Sequence, residues 1–81
     1  MMTGDVVRST HGHDKGGIFA VLAIEDEYLL LANGRQRRVE NPKRKKCKHT
    51  VKIASRAIAM PPETMTNKAL WQALRHYREG F

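Results

Sequence analysis

Residues 8–17, RSTHGHDKGG, place two histidines, an aspartate, a lysine and three glycines within ten positions. A metal site here would draw on His11, His13 and Asp14, with Cys47 and His49 as further donors. Two histidines one residue apart do not match the usual spacings of structural zinc sites, and the chain has only one cysteine. A nucleotide-hydrolysing phosphate loop does not fit either, because the order is Asp-Lys-Gly-Gly and a predicted strand follows.

The same segment is better suited to binding a phosphate group without catalysing a reaction. Gly12 and Gly16 permit backbone conformations that other residues rarely adopt, so the segment can turn sharply and bring its amides near a phosphate. Lys15 would add a positive charge at the tip. Thr10, His11 and His13 can donate hydrogen bonds to phosphate or sugar oxygens. The alternative is a surface hairpin whose polar side chains bind no ligand.

Positive charge is concentrated in one part of the chain. Residues 35–52, RQRRVENPKRKKCKHTVK, carry nine lysines and arginines and a single acid, Glu40. The other sixty-three residues carry six basic and seven acidic residues, although the whole chain has a formal net charge of +7. Such a segment attracts polyanions, because nucleic acid releases condensed counterions when cations bind it. In isolation, a basic run is also typical of a solvated loop or a localisation signal.

The elements that would position these residues are short strands. We expect strands over residues 4–9, 18–25, 28–32 and 37–40, and a short fifth strand over 51–54. The strand over 18–25 should be central, because both of its alternating faces are apolar. Acidic residues 25–27 predict a tight turn, and Asn33-Gly34 predicts a type I′ hairpin turn. Pro42 should end the fourth strand, which leaves the basic run 43–48 as an exposed loop.

Over residues 66–79 the spacing of the apolar residues changes from that of a strand to that of a helix. Thr66 or Asn67 would cap its start, and Leu70, Leu74 and Tyr77 would form its buried stripe, with Phe81 on the same face. Trp71 falls off that stripe. Phe19 and Tyr28 are expected in the core.

The length of 81 residues allows one domain with a small core. We expect a mainly β fold, a small antiparallel β-barrel, over residues 1–58, which contain the basic segment 35–52. Residues 59–81 would be a linker and the C-terminal helix. The longest apolar run is too short to span a membrane, no signal-peptide pattern is present, and a lone cysteine suits a reducing compartment. A cytoplasmic location is therefore expected.

Three groups of residues together resemble the KOW motif of ribosomal and transcription-associated proteins. They are Gly4-Asp5-Val6-Val7, then Gly12-His13-Asp14-Lys15-Gly16, then Phe19 and Val21. With LLANG, RRVENPKRKKCKHT and the terminal helix, the chain is similar to small bacterial KOW-domain RNA-binding proteins related to the ribosomal protein family fourteen-e. The resemblance covers residues 4–55 well and the rest loosely. It implies an SH3-like barrel whose first hairpin loop and neighbouring basic strand ends contact RNA.

The function expected is a non-enzymatic RNA-binding protein of the ribosome, ribosomal RNA or translation, with ribosomal proteins as further partners and no cofactor. The expected RNA contacts are Thr10, His11, Gly12, His13, Asp14, Lys15, Gly16, Arg35, Arg37, Arg38, Lys43, Arg44, Lys45, Lys46, Lys48, His49 and Lys52. With five aromatic residues, the chain is expected to recognise RNA shape and backbone rather than a single-stranded sequence. Cys47 has lysine neighbours but no visible base, so no nucleophile is expected.

Two alternatives from other classes remain at this point. An SH3-like protein-interaction module could bind an acidic partner through the same basic surface. A metal-dependent enzyme would instead use His11, His13 and Asp14.

Overall fold

The computed structural model describes residues 1–59 and 64–80, which form a five-stranded antiparallel sheet followed by short helices. The strands are β1 Val6–Ser9, β2 Ile18–Glu25, β3 Tyr28–Ala32, β4 Lys43–Lys46 and β5 Thr50–Ala54. The helices are α1 Asn67–Ala73 and α2 Arg75–Arg78, and a 3-10 turn, Cys47–His49, joins β4 to β5. The strand order is β4-β3-β2-β1-β5. The mainly β class with a C-terminal helix is confirmed, but β4 and β5 share no ladder within the described ranges, so the sheet is open.

The strands β2 and β3 occupy the predicted positions. They are joined by the predicted tight acidic turn, in which Asp26 takes a φ of 57°. The strand β2 is central, between β1 and β3. Its first half is buried on both faces, whereas Ile24 near its end is 42% exposed, so the prediction of complete burial holds only for Ile18–Val21.

The predicted strand over 37–40 is wrong, and so is the type I′ turn. That turn needs two residues with positive φ, and only Gly34, at 88°, has one. The Asn33 side chain instead accepts hydrogen bonds from the amides of Arg35 and Arg37, at 3.0 and 3.1 Å. Asparagine side chains compete with strand ladders for backbone donors in this way. Residues 33–42 therefore form one wide loop between β3 and β4.

The basic run is not the predicted exposed loop, because four of its residues form the edge strand β4. This strand pairs with β3 in a continuous register from Tyr28 opposite Lys46 to Leu31 opposite Lys43. A ladder uses backbone groups, so charged side chains are compatible with it at the edge of a sheet. Lys45 lies opposite Leu29 and is buried, with 8% of its surface exposed.

Apolar side chains form two cores. One contains Val6, Ile18, Ala20, Ala32, Ile58, Leu70 and Leu74 and joins the sheet to the helices. The other contains Val7, Phe19, Val21, Leu29 and Leu31, with Cys47 packed against it. Successive strand residues alternate between the faces, which is why neighbours such as Val6 and Val7 enter different cores.

The C-terminal helix begins where the sequence predicts, since the Thr66 hydroxyl accepts a hydrogen bond from the Ala69 amide at 3.1 Å. It is not continuous over 66–79, because Leu74, with φ −86° and ψ −5°, separates α1 from α2. Leu70 and Leu74 are fully buried, as expected of the stripe, and Tyr77 is half-buried. Most of the predicted linker, residues 60–63, and Phe81 lie outside the described residues.

Candidate nucleic-acid interface

The loop between β1 and β2, residues 10–17, is held together by its own backbone. Gly12 and Gly16 have φ values of 87° and 89°, which confirms that glycine is needed for the turn. The amides of Lys15, Gly16 and Gly17 donate to the carbonyl oxygens of Gly12, Ser9 and Asp14, at 3.1, 2.8 and 2.9 Å. These three amides are therefore already engaged and do not face an anion.

Asp14 ties this loop to the basic strand β4. The Lys45 ammonium donates to Asp14 Oδ1 at 2.7 Å and to the His11 carbonyl oxygen at 2.6 Å. The Ser9 hydroxyl also lies 2.8 Å from Asp14 Oδ1. Lys43 Nζ lies 3.8 Å from Asp14 Oδ2, an oxygen that has no hydrogen-bond partner among the described residues. Lys45 therefore supports the loop, while Lys43 stands beside it.

Asp14 is ionised at neutral pH. Burial favours the protonated acid, but hydrogen bonds from Lys45 and Ser9 and the charges of Lys45 and Lys43 outweigh it, and the pKa of Asp14 is lowered. A lowered pKa keeps the carboxylate charged, as its contacts with two ammonium groups require.

The 3-10 turn contributes a second contact with the loop. The rings of His11 and His49 stack with centroids 4.3 Å apart, and the Thr10 amide donates to the His49 carbonyl oxygen at 2.9 Å. Desolvation, together with the charges of His11 and Lys48, lowers the pKa of His49. His49 is therefore largely neutral at pH 7. Lys48, beside it in the turn, is exposed.

Arg44 and Lys46 lie on the other face of β4, as the alternation of a strand dictates. The Arg44 guanidinium carbon is 3.7 Å from the centroid of the Tyr28 ring, and Lys46 Nζ is 6.0 Å from it. Arg44 also pairs with Glu25 at 3.5 Å. Tyr28 is half-buried, so it supports cations at the surface and is not the core residue that the sequence predicts.

The remaining predicted residues are dispersed. Arg38 pairs with Glu40 at 3.1 Å in an exposed salt bridge, and Arg37 is half-buried in the wide loop. Arg35 lies over the Trp71 ring at 5.2 Å. Lys52 is exposed on β5, where its charge acts on Asp5. Contacts thus join residues 10–16 to Lys43, Lys45 and the 3-10 turn, whereas Arg35, Arg38 and Lys52 make their contacts elsewhere.

Sequence reasoning missed a pair of residues on the helices. The Arg78 guanidinium carbon lies 3.4 Å from the centroid of the Trp71 ring, and Arg78 Nη1 donates to the Trp71 carbonyl oxygen at 2.7 Å. The spacing of Trp71 and Arg78 could have indicated this contact, because residues seven apart lie on one face of a helix.

No group of three or more His, Cys, Asp or Glu side chains within residues 1–59 and 64–80 is placed to hold a metal ion. Of the helices described, none is long and apolar enough to cross a membrane. No family model matches the chain, and no curated protein sequence matches it.

Proposed function

We propose that this chain is a non-enzymatic, cytoplasmic RNA-binding protein of the KOW type, acting with the ribosome, ribosomal RNA or translation. The observation that carries the proposal is the attachment of the 10–17 loop to β4 and the 3-10 turn through Asp14, Lys45 and the stacked histidines. Through this attachment the loop that carries Lys15 contacts Lys43, 3.8 Å from Asp14, and the turn that carries Lys48. Cations grouped beside donors are what binding to a sugar–phosphate backbone requires.

The arrangement of strands supports an SH3-like barrel as the finer description of the fold. The two edge strands, β4 and β5, are consecutive in the chain and are separated only by the 3-10 turn Cys47–His49. A short connection between opposite edges of one sheet requires the sheet to curl toward closure.

The acid of the loop supports binding rather than catalysis. A general base needs a carboxylate that can reach the proton of a substrate. Asp14 Oδ1 is engaged by Lys45 and Ser9, and the side chain of Asp14 is only 18% exposed. We therefore assign Asp14 the role of an anchor that shapes the loop.

The salt dependence of binding tests the proposal. A structured RNA hairpin with a fluorescent label is titrated with the protein over a range of salt concentrations, and anisotropy gives the affinity. If about five cations meet phosphates, log affinity falls against log salt with a slope between about −3.5 and −4.5. An affinity that does not change with salt would contradict the proposal. Equal binding to a poly-glutamate of matched charge would favour the acidic protein partner instead.

Single neutralised cations test where the RNA lies. Lys15→Gln and Lys48→Gln should each weaken binding and reduce the salt slope by about 1. Arg56→Gln is the matched control, because Arg56 is exposed and its amide bonds to Asp5, before the start of β1 and away from the loop. Equal losses in all three variants would show that the 10–17 loop is not the site.

A further inference from the structure

A cleft of 350 Å³ lies between the 10–17 loop and the helices. Gly16 and Gly17 line one side, Trp71 and Arg78 line the other, and the polar side chain of Gln36 completes it. Its volume is at the lower end of the range of about 300–1,000 Å³ that is typical of small-ligand pockets. Because it shares Gly16 with the proposed RNA-binding loop, a ligand on that loop can extend into it.

Trp71 and Arg78 form a stacked platform beside this cleft. The guanidinium carbon is 3.4 Å from the ring centroid, and the hydrogen bond from Arg78 to the Trp71 carbonyl oxygen fixes the pair. The same two residues border a second cleft of 440 Å³, next to Arg75. Trp71 is half-buried and belongs to neither core among the described residues. Packing against the sheet therefore does not explain why a tryptophan stands at this position.

The surroundings of the platform are cationic. Burial lowers the pKa of Arg78, Glu79 opposes that effect, and Arg35 and Arg75 add to it. The acid near these arginines, Glu79, is paired with Arg75 at 3.0 Å. The Trp71 ring with the planar Arg78 guanidinium stacked on it, and Arg35 at 5.2 Å, suits a ligand that has both a planar ring and a negative charge.

We propose that the cleft takes an unpaired nucleobase of the bound RNA, stacked on the Trp71–Arg78 platform, with its phosphate toward Arg35. This inference rests on the proposed RNA binding and extends it from recognition of the backbone to recognition of a single-stranded position. Stacking on an aromatic side chain is tolerant of base identity, since every base has a π-face. The ligand class is therefore RNA that carries an unpaired nucleotide beside a helix.

Trp71 reports directly on the cleft, because it is the only tryptophan in the chain. The full chain is titrated with a blunt RNA duplex and with a duplex of equal phosphate number that contains an unpaired stretch. We expect the unpaired stretch to quench Trp71 fluorescence and the blunt duplex to leave it unchanged. This measurement uses the unaltered protein and does not depend on the folding of a variant.

Two substitutions measure the contribution of stacking. Trp71→Leu should lose about 5- to 150-fold in affinity for the RNA with the unpaired stretch and bind the blunt duplex normally. Trp71→Phe keeps an aromatic ring and should retain most of the affinity.

The outcomes separate this inference from the function on which it rests. If both RNAs bind equally and neither quenches Trp71, the inference is overturned and RNA binding stands. If Trp71→Leu binds the unpaired RNA as the unaltered chain does, stacking is also overturned. If neither RNA binds, the proposed function itself is wrong.

Discussion

At the scale of single residues, the most informative group is an acid at the centre of a proposed polyanion site. Asp14 would repel phosphate if its charge were free, but Lys45 and Lys43 offset that charge. The Asp14–Lys45 pair is largely buried, with 18% and 7% of the two side chains exposed. Removing one member of such a pair leaves a buried charge without compensation, so both are needed to hold the loop.

The stability of the protein should depend on these carboxylates at acidic pH. The pKa values of Asp5 and Asp14 are lowered, because hydrogen bonds outweigh burial at both; at Asp5 they come from the Met2 and Arg56 amides. The folded protein then binds fewer protons than the unfolded chain near pH 4. The contribution of the two carboxylates to the free energy of unfolding should be level above about pH 5 and fall as the pH drops through their lowered pKa values. The lowered pKa of His49 should add a fall that begins nearer pH 6.5.

Urea unfolding over a series of pH values measures this dependence. Asp14→Asn removes one of the carboxylates with a lowered pKa, so its stability should be lower at neutral pH and vary less steeply below about pH 5. An unchanged pH profile in that variant would show that Asp14 does not contribute.

At the scale of elements, the wide loop 33–42 depends on one glycine where it meets α1. Gly34 has a φ of 88°, and a Cβ at this position would overlap the carbonyl oxygen of Asn67. The loop is also fixed by the Val39 amide, which donates to Asn67 Oδ1 at 2.8 Å. The approach of the loop to the helix therefore requires the absence of a side chain.

Gly34→Ala should be strongly destabilising, since it adds a steric overlap to the backbone strain. Gly16→Ala is the matched control, because Gly16 has a φ of 89° but nothing within 4 Å of its added Cβ. We expect a loss of about 1–2 kcal/mol for Gly16→Ala and a clearly larger loss for Gly34→Ala, from thermal unfolding. Equal losses would mean that the loop moves away from α1 without penalty.

The sequence predicts the elements whose signals are local and misses those set by distant partners. The apolar pattern of β2, the acidic turn after it and the Thr66 cap need only neighbouring residues. The strand β4 carries no apolar pattern, because its ladder with β3 and its position at the edge decide its structure. Pro42 directly precedes this strand, whereas the sequence predicts only that Pro42 ends an earlier strand.

The same contrast holds for the candidate site. The glycine-hinged loop is a local motif, and the sequence predicts that its turn needs Gly12 and Gly16. The role of Lys45 in supporting the loop is not predicted, because it depends on an ion pair between residues 31 positions apart. Trp71 and Arg78 gain significance only when the loop lies opposite them.

At the scale of the whole molecule, the helices are part of the same folded unit as the sheet. Leu70 and Leu74 are fully buried in one core with Val6 and Ile18. A core shared by both ends of the chain makes the unfolding of one part expose the apolar surface of the other.

Leu74→Ala should therefore destabilise the entire protein, by about 2–5 kcal/mol. Thermal unfolding followed by Trp71 fluorescence, which reports on α1, and by circular dichroism of the sheet should give coincident transitions. Exposed Ala73, the preceding residue, provides a control, and Ala73→Ser should change stability only slightly. Separate transitions would show that the helices are an independent appendage.

The charged edge of the sheet has a consequence for crowded solutions. β4 pairs on one side with β3, and its other side has no strand partner among the described residues. Open edges of this kind template the growth of intermolecular sheets, but the charged side chains of this strand, Lys46 among them, oppose pairing with an identical strand. The side chains proposed to attract nucleic acid thereby also act as gatekeepers against fibrillar self-assembly.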